Sequence, residues 1–147
     1  MRILPMREAQ VEQIAAIERE TFSLPWDEDA VRAELVNPLS LWLTAEEGDL
    51  VVGYVGSQTC FDDTDILNVA VRPDFRRRGI AEALLRTLEP LLCARGSRRI
   101  TLEVRVSNAA ALALYEKLGY QSIGLRKNYY EKPREDARLL QKQLGNT

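Results

Sequence analysis

The chain has 147 residues, the size range of one domain, at which roughly two-thirds of the unfolded surface can be buried. Its composition, 46% hydrophobic and 29% charged with 8 Gly and 6 Pro, excludes disorder, collagen and a disulfide scaffold. Lys and Arg total 20 against 22 Asp and Glu, a net charge of −2, so no chain-wide positive field gathers nucleic acid and any polyanion site must be local.

The segment "EAQVEQIAAIERETF" carries Val11, Ile14, Ala15 and Phe22 at helical spacing, and "WDEDAVRAELV" follows with an acidic first turn suited to a helix N-terminus. The period then switches to 2. "LWLTAEEGDLVVGYVGSQT" reads as a hairpin around Glu47-Gly48-Asp49, and "DILNVAVRP" as a further strand stopped by Pro73. From Gly79, the residues Ile80, Leu84, Leu88 and Leu91 form one apolar stripe that ends before Gly96. Pro90 lies within it and crowds the carbonyl of Arg86, so a kink or break is expected there.

"RRITLEVRV" alternates, with Ile100, Leu102, Val104 and Val106 on one face and Thr101, Glu103 and Arg105 on the other. "SNAAALALYEKLGY" offers Ser107 or Asn108 as N-cap, an alanine-rich helix and Gly119 as its stop. "QSIGLRKNYY" and "DARLLQKQL" read as closing strands, although the second pattern also suits a helix. This order predicts a single domain over residues 1–147 of the α/β (α+β) class. Its central sheet is mixed, mostly antiparallel, and flanked by helices.

The absence of histidine removes the usual zinc sites and histidine-based triads, and no metal is expected. Any base must be Glu, Asp, Lys, Tyr, Cys or water. Cys60 and Cys93 lie far apart among apolar neighbours and are expected as buried free thiols in a reducing compartment. No run approaches the ~18 apolar residues of a membrane span, and "MRILPMREAQ" lacks the apolar core of a signal peptide, so a cytoplasmic protein with no membrane partner is expected.

In "FRRRGIAEALL" a strand end, a short basic loop and a helix-opening glycine place several free backbone N–H groups and a positive dipole end together. That arrangement suits a phosphate. Gly79 lets a ligand approach the backbone, Ala81 is nearly as small, and Arg76, Arg77 and Arg78 add charge around the nest. A three-residue basic run alone is more often a solvated turn. Here it sits in a larger pattern, because "VAVRPDFRRRGIAEALL" resembles the acetyl-CoA-binding segment of the GNAT superfamily of N-acetyltransferases. The resemblance implies that backbone from Arg76 through Gly79, Ile80, Ala81 and Glu82 holds the cofactor pyrophosphate. It also implies that the strand Val69, Ala70 and Val71 pairs with the pantetheine arm. Many members of the superfamily have a second glycine where this chain has Ala81.

The resemblance runs from about Arg2 to Leu144. "LEVRVSNAAALALYEKLGY", "RKNYY" and "REDA" are similar to the bacterial ribosomal-protein alanine N-acetyltransferases, the RimI type, and "LPWDED" resembles their Phe-Pro-Trp-Ser-Glu segment, with Leu24 in place of the aromatic. It maps the general base onto Glu103 and the general acid onto Tyr115, gives Asn108 a contact to the pantetheine or thioester, and sets Trp26, Tyr129 and Tyr130 on the peptide side.

The residues also carry a physical case of their own. Glu103 sits on the strand face opposite the apolar residues and can point into a cleft. Tyr115 follows Asn108 by about two helical turns, so both project from nearly the same side. Each has a plain structural alternative: Glu103 as an ion-pair partner, Tyr115 as a core aromatic, Asn108 as a cap.

An α-amine titrates at ~7.7–8.0 and lysine at ~10.4, so deprotonating lysine near neutrality costs roughly 3 kcal/mol more. A lone glutamate therefore suits a peptide N-terminus. The expected partner is the N-terminal peptide of a small-subunit ribosomal protein, met by a monomeric enzyme without nucleic acid. The clusters Asp27-Glu28-Asp29 and Asp62-Asp63-Asp65 either attract a basic tail or are solvated turns. Other protein N-termini, lysine side chains and small amines remain open as acceptors, as does a non-catalytic acetyl-CoA or nucleic-acid binding module.

Overall fold

The computed structural model describes residues 1–145, so the last two residues of the expected domain lie outside the described residues. Strand β1 (Arg2–Pro5) leads through a short turn into helix α1 (Val11–Thr21). Helix α2 (Glu28–Ala33) follows, opened by Asp27, whose side chain accepts the Ala30 N–H at 2.8 Å. The hairpin β2 (Ser40–Glu47) and β3 (Leu50–Cys60) turns at Gly48, whose φ of +60° lies in the left-handed region glycine tolerates. Strand β4 (Asp63–Val71), helix α3 (Ile80–Ala94), β5 (Arg99–Arg105), α4 (Ala109–Lys117), β6 (Gln121–Glu131) and β7 (Arg134–Gln143) complete the order.

The strands form one sheet in the order β1-β2-β3-β4-β5-β7-β6. Only β4 and β5 run parallel, as a strand–helix–strand crossover through α3 requires. This is the expected mixed, mostly antiparallel sheet. Two cores cover its faces. One joins Leu84, Leu85, Leu88 and Leu92 of α3 to Ile100, Leu102 and Val104 of β5 and to Tyr115 of α4. The other joins Val11, Ile14 and Ile17 of α1 to Val31, Trp42 and Tyr54. Burying each such aliphatic chain stabilises the fold by roughly 1.5–3 kcal/mol.

Several expectations are corrected. Helix α3 runs through Pro90 without a break, because Pro90 and Arg86 both lie on the exposed side, where the carbonyl that loses its donor meets water. The last buried residue of its stripe is Leu92, with Leu91 41% exposed. Val106 lies beyond the end of β5 and is exposed. Both cysteines are exposed: Cys60 closes β3 at the outer hairpin end opposite Asp63, and Cys93 lies on the outer side of the last turn of α3. "DARLLQKQL", by contrast, falls in the closing strand expected of it. Strand β1 is too short to announce itself in sequence. Among the described residues no helix is long and apolar enough to cross a membrane.

Candidate active site

Strands β4 and β5 pair only from Asp63↔Arg99 to Asp65↔Thr101, whereas each stays paired with its other neighbour, β3 or β7, along its length. Beyond Thr101 the two strands part, and the sheet opens into a fork. A register shift between Gly56 and Ser57 on β3 lies opposite β4 where the fork begins. The Arg72 N–H reaches the Val52 carbonyl at 2.8 Å, so the alternation of an antiparallel ladder turns the N–H and C=O of Val69 and Val71 towards the gap. The Val71 carbonyl accepts Arg76 Nε at 3.2 Å. Among the described residues Val69 keeps a free strand edge.

The loop after β4 has the geometry of an anion nest. Arg77 and Gly79 adopt left-handed φ of +64° and +76°, and α3 starts at Ile80. Among the described residues, none of the backbone N–H groups from Arg77 to Glu82 finds a hydrogen-bond partner; the first N–H engaged within the helix is that of Ala83, bonded to Gly79 at 3.0 Å. A Cβ built on Gly79 would meet nothing within 4 Å, so the loop backbone faces open space. The arginines are only partly available for charge. Arg76 is turned back onto Val71, Arg78 stacks on Phe75 at 4.9 Å, and Arg77 is exposed. Glu82 does not face the nest alone: it bonds Arg86 and Lys117, each at 2.8 Å, and these hydrogen bonds, Lys117 first, hold its carboxyl below the usual range. This row of N–H groups, a dipole end and a free strand edge fit the diphosphate and amide-bearing arm of coenzyme A.

Glu103 and Tyr115 approach the fork from opposite faces of the sheet. Ile100, Leu102 and Val104 point into the core that holds Tyr115, so Glu103 projects from the other face, the side of α1 and α2. Its carboxylate lies 3.3 Å from Arg126 Nε, rather than on Arg105, which pairs with Glu135 at 3.2 Å. Among the described residues no side chain hydrogen-bonds to Glu103. Burial pushes its carboxyl above the ordinary value, Asp65 adds to this, and Arg126 opposes it.

Tyr115 is 6% exposed and packs edge-on against Tyr120 at 5.2 Å. Its hydroxyl has no partner among the described residues, unlike that of Tyr120, which donates to Glu89 at 3.0 Å. It is not sealed either, since the one sealed, unpartnered side-chain atom among the described residues is Thr21 Oγ1. Burial, then the neighbouring Tyr130, raises the Tyr115 phenol, which stays protonated through the neutral range. Asn108 caps α4, accepting the Ala111 N–H at 3.1 Å, and is exposed at the fork end of that helix.

Tyr129 and Tyr130 stand edge-to-face at 5.0 Å where β6 bulges against β7. Arg105 covers Tyr130 at 4.2 Å, and burial first, then Tyr129 and Glu103, push that phenol up to about 12. Trp26 lies edge-on to Trp42 at 5.4 Å, half-buried beside the exposed Leu24 and Pro25.

Of the acidic clusters, Asp27 caps α2, Glu28 and Asp29 pair with Arg32, and Asp62 and Asp63 pair with Arg99. Asp65 makes no ion pair among the described residues. It is the last residue of β4 paired with β5, shares the face of Thr101 and Glu103, and has its carboxyl raised by burial and by Asp63. The approach of Asp65 and Arg126 to Glu103 cannot be read from neighbouring residues, because it depends on strand register. No cluster of three or more Cys, Asp or Glu suited to a metal occurs among the described residues.

The sequence profile of the acetyltransferase (GNAT) family matches residues 11–120. The chain belongs to the GNAT acetyltransferase family. As a member it draws the acetyl group from acetyl-CoA. Within the family it is 41% identical over 115 residues to the ribosomal protein bS18-alanine N-acetyltransferase of Salmonella typhimurium, covering 78% of this chain and 76% of that protein. It is 35% identical over 144 residues to the N-alpha-acetyltransferase RimI of Mycobacterium tuberculosis, covering 94% and 89%. The crystal structure of the ribosomal-protein-S18-alanine N-acetyltransferase from Escherichia coli superposes with a TM-score of 0.90 at 31% identity, covering 99% of this chain and 95% of that one. The GNAT fold found here is thus shared over nearly the whole chain.

Proposed function

We propose that this acetyltransferase modifies the α-amine of an N-terminal alanine on the small-subunit ribosomal protein bS18, in the cytoplasm, as a single-domain monomer. The observation that carries the reading is the similarity, over most of both chains, to enzymes named for that reaction. The site chemistry agrees with an α-amine, which yields its proton to a carboxylate more readily than lysine does.

Acetyl-CoA supplies an acyl group activated as a thioester. The backbone N–H groups of Arg77 to Glu82 bind its diphosphate, the free edge at Val69 pairs with its arm, and Asn108 lies beside that path. Glu103 receives the proton of the incoming amine, directly or through one water, on the face that carries α1 and α2. The Tyr115 hydroxyl, free of other partners, holds the proton a departing thiolate needs. Trp26, Tyr129 and Tyr130 line the peptide side, and Asp65 draws a cationic terminus towards it.

The test is free-thiol release from acetyl-CoA with a basic hexapeptide beginning with alanine, beside the same peptide with a blocked N-terminus and a free lysine. Turnover on the free N-terminus alone supports the reading. Turnover on the blocked peptide moves the assignment to lysine, and silence on both overturns it.

A further inference from the structure

Glu103 and Arg126 are neighbours although β7 lies between their strands, a separation of about 9–10 Å for two strand spacings. The register explains how the arginine crosses. Arg126 pairs with Ala137, which pairs onward with Arg105; Glu103 pairs with Leu139, which pairs onward with Gly124. Paired residues share a face, so Arg126 extends diagonally towards Glu103 past the two smallest side chains available, Ala137 and Gly124. Arg126 is also the last β6 residue in register before the bulge that carries Tyr129, whose ring lies 5.8 Å from the guanidinium. The side chain of Arg126 is 52% exposed and that of Glu103 24%, so the cation sits on the outer side of the pair. At 3.3 Å the two ions attract, yet they lack the alignment of a hydrogen bond.

We propose that Arg126 is a positioning residue of the acetyl-transfer reaction: its cationic head, reaching across β7, holds the Glu103 carboxylate in the anionic form that can receive the amine proton. The inference rests on the reading of Glu103 as the proton acceptor. The groups facing Glu103 make the need plain. Asp65 of β4 repels a second negative charge, Tyr129 and Tyr130 of β6 are neutral phenols, Leu139 of β7 is apolar, and Arg105 is engaged by Glu135. Burial and Asp65 both favour the protonated carboxyl, and Arg126 is the cation that opposes them. Because the contact is ionic rather than bidentate, a lysine at the same place serves equally.

The test follows the Glu103 side-chain carboxyl carbon by NMR titration in the wild type, Arg126→Gln and Arg126→Lys. Alongside it runs the pH dependence of kcat/KM for the alanine-first peptide, read below the limb set by the peptide amine. In Arg126→Gln the Glu103 titration and the acid limb are expected to move together to higher pH, and Arg126→Lys to bring both back. A Glu103 titration unmoved in Arg126→Gln overturns the role of Arg126, even where Glu103→Gln removes the acid limb and so upholds Glu103 as acceptor. A titration that moves while the acid limb stays, with that limb retained in Glu103→Gln, overturns the acceptor reading and this inference with it.

Discussion

Glu18 accepts the backbone N–H of Trp26 at 2.9 Å through one carboxylate oxygen, while the other takes the Tyr54 hydroxyl and, at 2.8 Å, the Asn68 amide. One fully buried carboxylate thus fastens the loop between α1 and α2 to β3 and to β4 at the mouth of the fork. Truncation by Glu18→Ala leaves these donors unmatched, and each buried unpaired donor costs about 1–3 kcal/mol. A fall in the urea midpoint is expected, with KM rising for the peptide while acetyl-CoA affinity is kept. An unchanged midpoint would show that the network contributes nothing to the fold.

The nest at the start of α3 makes a ranking prediction. Gly79 has φ of +76° and open space before it, so Gly79→Val both strains the backbone, by roughly 1–2 kcal/mol, and fills the path of a diphosphate. Arg77→Ala removes one exposed charge and leaves the N–H row intact. Calorimetric titration with coenzyme A should show a loss of at least tenfold for Gly79→Val and only a few-fold for Arg77→Ala. The reverse ranking would assign the binding to side-chain charge rather than backbone.

Glu103 gives a prediction with a definite sign. Its folded carboxyl is raised above the ordinary value, chiefly by burial, so between the unfolded and folded values the native state holds more protons than the unfolded one. Stability therefore falls as pH rises through that window, and the full penalty is present once the pH exceeds the folded value. Glu103→Gln is expected to raise Tm at pH 7 while lowering kcat by ~10²–10⁴, and the gain in Tm should vanish once pH drops below the unfolded carboxyl value. A variant less stable at pH 7 than the wild type would mean that the Arg126 ion pair outweighs burial.

The sequence carried the helices and most strands because their periods are local. The hairpin at Gly48, the Asn108 cap and the glycine before α3 could each be read from a few neighbouring residues. What escaped depends on register or exposure. Arg126 reaches Glu103 only through pairings set by β7, and Asp65 joins that face only because β4 and β5 run parallel at the root of the fork. Apolar neighbours made Cys60 and Cys93 look buried, but a hairpin end and the outer side of a helix are exposed whatever flanks them. Pro90 suggests a break through its missing donor alone, although the stripe of Ile80, Leu84 and Leu88 already sets it and Arg86 on the opposite side of α3, which faces water. Nothing in the local sequence marks Glu18 as inward-facing, although α1 buries it fully.

The Trp42 ring rests against Gly56, which has no side chain. A Cβ on Gly56 would come within 2.6 Å of the Trp42 ring, closer than real contacts allow. Trp42 cannot simply retreat: its Nε1 donates to Glu34 at 3.0 Å, its ring stacks on Tyr54 at 5.9 Å, and Trp26 stands against it at 5.4 Å. Gly56→Ala must therefore displace the ring and disturb its contact with Trp26, with an overpacking cost of about 1–3 kcal/mol. KM for the peptide should rise as Trp26 moves, while coenzyme A affinity holds, because the helix opened at Gly79 packs into the other core. Gly48→Ala is the control: its φ of +60° is unfavourable for alanine, yet nothing lies within 4 Å of the added carbon, so it should cost only about 1 kcal/mol and leave KM alone. Equal Tm losses for the two variants, with peptide KM unmoved in both, would mean that the Trp42 contact does not set the position of Trp26.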